Sequence, residues 1–106
     1  MNPVDTIYFE ILTPLGVKVR TTTTHWARII TYKHPIMRGE EPAVKAALSA
    51  PTLVRRSRKD PAVFLYYRTK GTYLTCVVVR HLQDEGFIIT TYRTDAAKEG
   101  DQVWPT

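Results

Sequence analysis

A single cysteine, Cys76, serves 106 residues, so neither an intramolecular disulfide framework nor a multi-thiolate metal cage is possible within the chain. The five glycines are scattered, and none falls in a GxGxxG or GxxxxGK[ST] pattern, which removes the familiar phosphate-cradling loops. Apolar runs stop after a handful of residues, too short for a bilayer-spanning helix, and Met1-Asn-Pro-Val-Asp5 lacks the basic start and long apolar stretch of a secretory signal. His25, His34 and His81 share no metal-ligand spacing with one another or with the cysteine, so no metal and no other cofactor is expected. The acidic residues fall mostly in expected loops and helix starts, which speaks against a hydrolase built on two carboxylates. A soluble, cytoplasmic protein of one domain, without membrane association, is the expectation.

What the chain does contain is an ordinary globular mixture, 43% hydrophobic, 24% charged and 10% aromatic, in a length sufficient to bury a core unaided. Its net charge of +5 is unevenly spread: residues 17–80 carry thirteen basic and three acidic side chains, while both ends are weakly acidic. A basic middle suits a polyanion such as RNA or DNA. A solvated basic surface has the same composition, so charge alone does not choose between them.

The segment Asp5–Leu12 is rich in β-branched and aromatic residues, Thr13-Pro14-Leu15-Gly16 has the composition of a type I turn, and Val17–Arg20 alternates apolar and basic residues. An N-terminal β-hairpin over residues 1–20 follows. Thr21 to Thr24 offer helix-capping hydroxyls, and Trp26, Ile29, Ile30, Lys33 and Met37 recur at helical spacing until Pro35 ends the helix near His34. A second helix begins at Gly39-Glu40-Glu41-Pro42, buries Val44, Ala47 and Leu48, and closes at Pro51. Four strand patterns then run over 52–57, 62–68, 73–80 and 86–93, joined by hairpin-like connections, and a polar tail over 94–106 packs loosely. The fold predicted is α+β: the hairpin, then two helices packed on a four-stranded antiparallel sheet within a core over 21–93.

Cys76 lies in the most apolar strand and reads as a small core residue, since burial disarms a thiol. The remaining candidates are His, Arg, Ser, Thr and Tyr. Arg55-Arg56-Ser57-Arg58-Lys59 is the densest basic cluster, and alternation sends Arg55 and Ser57 to one strand face and Arg56 and Arg58 to the other. On the last strand Ile88, Thr90 and Tyr92 share a face, and Tyr66 and Tyr67 point to opposite faces, one of them core and the other exposed. Each also has a plain structural use: a histidine at a helix end suits the dipole, and charges protect an edge strand.

In their order, His34-Pro-Ile-Met37, Pro51-Thr-Leu-Val-Arg-Arg-Ser57, Leu65-Tyr-Tyr67, Cys76-Val-Val-Val79 and Gly86-Phe-Ile-Ile-Thr-Thr-Tyr92 resemble the phage- and toxin-associated proteins of the barnase–EndoU–colicin–RelE nuclease superfamily. The resemblance covers residues 25–93. It implies an RNase-like sheet and a small ribonuclease that cleaves RNA without metal, by attack of the 2′-hydroxyl on its own phosphodiester. His34, Arg58, Thr90 and Tyr92 are the catalytic candidates it implies, with Ser57, Arg55, Arg56 and Tyr67 binding substrate. No acidic residue stands where barnase-like enzymes keep a glutamate base. A non-catalytic module that binds RNA or a protein partner, a cognate inhibitor included, is the alternative. A third reading is an oligomer joined through exposed aromatics, Tyr8, Tyr66 and Trp104. Cleavage itself asks for a base, an acid and positive charge on the phosphorane, roles suited to histidine and arginine.

Overall fold

A computed structural model describes residues 6–97 and 99–106; Asp5, at the expected start of the first strand, lies outside them. The strands are β1 (Ile7–Leu12), β2 (Lys18–Thr22), β3 (Leu53–Arg56), β4 (Val63–Lys70), β5 (Tyr73–Leu82), β6 (Glu85–Thr94) and β7 (Asp101–Trp104), with helices α1 (Thr23–Arg28) and α2 (Glu41–Ser49). All seven strands belong to one mixed sheet of order β1-β2-β6-β5-β4-β3-β7. This corrects the expected four-stranded antiparallel sheet with two packed helices.

Both additions come from backbone pairing. The hairpin does not stand apart: β2 runs parallel to β6, with Lys18 opposite Glu85 and Arg20 opposite Phe87. Two strands alone are marginal in water, and docking on β6 drives Val19 to full burial. The tail is not loose either, since Asp101–Trp104 pairs antiparallel with β3 and brings Val103 and Trp104 against the core. A polar four-residue strand has no apolar period to betray it; what it satisfies is the edge of β3.

The helices follow local chemistry more closely. The Thr22 hydroxyl caps α1 by accepting from the His25 amide at 3.1 Å. After Arg28 the helix loosens into a π-helical turn over Ile29–Lys33, and His34, at φ −139°, leaves helical geometry just before Pro35. A short 3₁₀ turn, Pro35–Met37, then buries Met37. α2 carries Pro42 in its first turn and sinks Val44, Ala47 and Leu48 into the sheet. No helix among the described residues is long and apolar enough to cross a membrane.

One sheet face is therefore covered by helices. Tyr66 on β4 is fully buried there, as is Val77 on β5. Tyr67, on the other face, is only 2% exposed, so neither of the tyrosine pair is an exposed aromatic. The burial of Tyr66 and the packing of Trp104 on the core also take both out of the aromatic interface expected for an oligomer.

His81 lies at the rim of the helix-covered face, stacked on Phe64 with 3.8 Å between ring centroids and its Nε2 2.9 Å from the Tyr66 hydroxyl. Burial, with Arg56 nearby, lowers its pKa from 6.5 to about 4. A base with a depressed folded pKa binds fewer protons in the folded chain than in the unfolded one. Stability is then complete above the unfolded value and falls as pH drops through this window. Urea unfolding at pH 7.5, 5.5 and 4.5 is expected to show that loss, up to about 3 kcal/mol for this group. His81→Gln removes its share of the slope.

Candidate functional site

The face away from α2 is organised in cross-strand rows. Leu53, Tyr67, Cys76 and Tyr92 stand opposite one another on β3, β4, β5 and β6. The next row is Arg55, Leu65, Val78 and Thr90, and a third runs Val63, Arg80, Phe87 and Arg20, crossing onto β2. The rows depend on a bulge in β6. Val79 pairs with Ile88 and Val78 with Thr90, so Ile89 is the unpaired extra residue. A bulge reverses the alternation beyond it. Ile88 accordingly joins the helix-side core, whereas Thr90 and Tyr92 look out on the open face; the three do not share one face as simple alternation predicts.

The same bulge anchors α1. β2 leaves β6 after Phe87, so the remaining length of β6 has no strand neighbour on that side, and α1 reaches it through His25 while the Pro35–Met37 turn packs farther along. His25 Nε2 sits 2.9 Å from the Ile89 carbonyl. A carbonyl only accepts, which places the proton on Nε2. At the far end of the same segment the half-buried His34 ring lies 5.6 Å from the Tyr92 ring, centroid to centroid. The two histidines thus bracket Thr90, whose buried Oγ1 has no hydrogen-bond partner.

The sequence-predicted residues fall into two groups. His34 and Tyr92 meet at the β6 edge, and Thr90 lies two residues before Tyr92 on the same face. Arg55 shares the row of Thr90 but stands three strand spacings away, about 14 Å. Its Nη1 donates to the Gly100 carbonyl at 2.9 Å, while its buried Nε is unpaired. Ser57 lies just past β3, and its Oγ accepts from the Lys59 and Asp60 amides at 3.2 and 3.3 Å, a closed turn. Arg58 is exposed and holds Asp101 at 2.7 Å. Arg56 is on the helix-side face, its guanidinium over Phe64. Tyr67 lies between the groups, in the row of Tyr92.

Cys76 is buried between Tyr67 and Tyr92, and desolvation pushes its thiol up to about 12, which leaves it unreactive near neutrality. Burial raises both flanking phenols as well, and the neighbouring Glu99 carboxylate adds to the effect. Glu99 also lines a shallow pocket of about 220 Å³ with Ser57, Arg58, Lys59 and Gly100. Three residues of interest went unread in the sequence, Arg20, Arg80 and Phe87, whereas His25 is the only candidate there for a second histidine, about two helical turns from His34. Arg20 is on the hairpin and reaches the face only through the parallel pairing. Arg80 and Phe87 look like strand ends until the register is known. No group of three metal-ligating side chains occurs among the described residues.

The connection from β6 to β7 straps this face. Ala97 packs on the Tyr67–Cys76 cluster, and Gly100 is buried at φ +85°. A methyl group there would run into the Arg56 carbonyl, whereas one at Gly39, φ +79°, meets nothing within 4 Å. By chemical denaturation Gly39→Ala is expected to cost about 1 kcal/mol, the left-handed penalty alone. Gly100→Ala adds a backbone collision and is expected to exceed about 2 kcal/mol. Among known proteins, no family model, no curated protein and no solved structure matches the chain.

Proposed function

We propose that this protein is a small ribonuclease that binds RNA on the open sheet face and cuts it at the β6 edge, without a resident metal. In this reaction the 2′-oxygen attacks its phosphorus, the bond to the 5′-oxygen breaks, and a 2′,3′-cyclic phosphate remains. One proton leaves the 2′-hydroxyl and another reaches the departing 5′-oxygen. His34 is the group for one of those transfers, since an imidazole takes up or releases a proton at its ring nitrogens. Tyr92 holds the ring from one side, and Thr90, two residues back on the same face, has an unpartnered hydroxyl that is covered in the free chain and would need a small local opening to meet a phosphate oxygen. Arg20 and Arg80 lie in the adjoining row, paired with Glu85 and Asp60, and stabilise the developing charge by exchanging those carboxylates for the phosphate. The observation that carries the reading is the juxtaposition of His34, Tyr92 and an unpartnered Thr90 hydroxyl at one strand edge. The sequence motifs shared with the barnase–EndoU–colicin–RelE superfamily point the same way.

One observation favours a non-catalytic module that binds RNA or a protein instead. The densest basic cluster, at Arg55 and Arg58, is about 14 Å from Thr90, too far to serve the same phosphate. Incubation with several RNAs, tRNA among them, in EDTA separates the readings. The nuclease yields cyclic phosphate ends, and His34→Ala lowers the rate about 100- to 10,000-fold. Salt-sensitive binding without turnover, weakened by Arg55→Ala and Arg58→Ala but not by His34→Ala, overturns catalysis in favour of the module.

A further inference from the structure

The fork where β2 leaves β6 encloses a pocket of about 300 Å³, lined by Arg20, Thr21, Thr22, His25, Phe87 and Ile88. It opens because the parallel ladder stops at the Arg20–Phe87 pair, after which β2 turns into α1 and β6 continues past its bulge. Two features mark it as a candidate binding site. The Arg20 guanidinium lies over the Phe87 ring at 4.9 Å and is held by Glu85 at 2.5 Å, which fixes a flat platform. His25 Nε2 is committed to Ile89, so the ring is fixed in orientation and its Nδ1 is an acceptor whenever the ring is neutral.

We infer that this fork holds one nucleobase of a single-stranded RNA, stacked on the Arg20–Phe87 platform beside the fixed His25 ring. A volume at the small end of ligand sites suits one nucleoside. Stacking on an aromatic ring or an arginine plane is how unpaired bases are taken up. The position agrees: Phe87 lies on β6 three residues before Thr90, on the same face, so a strand seated here by its base passes its backbone along Thr90 toward His34. The ligand class rests on the RNA reading above, but the site does not require turnover.

The test is titration of the labelled protein with the four nucleoside 3′-monophosphates, followed by amide shifts, beside ribose 5-phosphate as a base-free control. At least one nucleotide is expected to move the Thr21, His25, Phe87 and Ile88 amides saturably, with ribose 5-phosphate leaving them in place. Phe87→Ala is expected to weaken that nucleotide about 5- to 100-fold. Arg20→Lys, which keeps the charge and loses the flat guanidinium, is expected to weaken it as well, so it decides the matter if Phe87→Ala fails to fold. Equal shifts from ribose 5-phosphate, shifts centred on Arg55–Arg58, or unchanged affinity in Arg20→Lys would overturn the base site. Base-dependent binding without RNA cleavage keeps the inference and rejects the enzyme. Cleavage with a silent fork does the reverse.

Discussion

The short parallel pairing between β2 and β6 governs most of this molecule. Over Lys18–Arg20 it turns an N-terminal hairpin into part of the main sheet and changes that sheet from antiparallel to mixed. By ending at Phe87 it leaves the rest of β6 without a strand neighbour. A free edge is costly and prone to pairing with other chains, and here His25 of α1 takes one of its carbonyls while the Pro35–Met37 turn packs beside it. His25 and His34 reach β6 only because no strand covers that edge.

What local chemistry dictates was legible. Pro35 and Pro51 mark where helical geometry stops, Val44, Ala47 and Leu48 form the buried stripe of α2, and the four central strands lie close to their expected spans. Cys76 is the buried, inert thiol that its apolar strand implies. Long-range pairing was not legible. Nothing in Lys18-Val-Arg20 says that it runs parallel to Glu85-Gly-Phe87, because parallel register is written in backbone hydrogen bonds and not in side-chain period. Asp101-Gln-Val-Trp104 reads as a polar tail for the same reason.

The candidate site shows the same division. Thr90 and Tyr92 are two residues apart beyond the bulge, so alternation places them together on one face. Ile88 was assigned to that face too, and the extra residue at Ile89 moves it to the other. Sequence proximity likewise made one cluster of Arg55 to Arg58, yet β3 ends at Arg56 and the four side chains go separate ways. One bonds the strap, one covers Phe64, one closes a turn and one pairs with Asp101. The arginines in the row next to Thr90 come from β2 and β5, distant in sequence and neighbours only through the register.

The strap between Thr94 and Asp101 carries a mechanical consequence. It leaves β6 and meets β3 only after passing β5 and β4, and on the way Ala97 rests on the Tyr67–Cys76 cluster while the Gly100 carbonyl takes the Arg55 guanidinium. A change that swells or empties that cluster therefore also shifts the seat of the last strand, so a defect at Cys76 is felt at the far edge of the sheet.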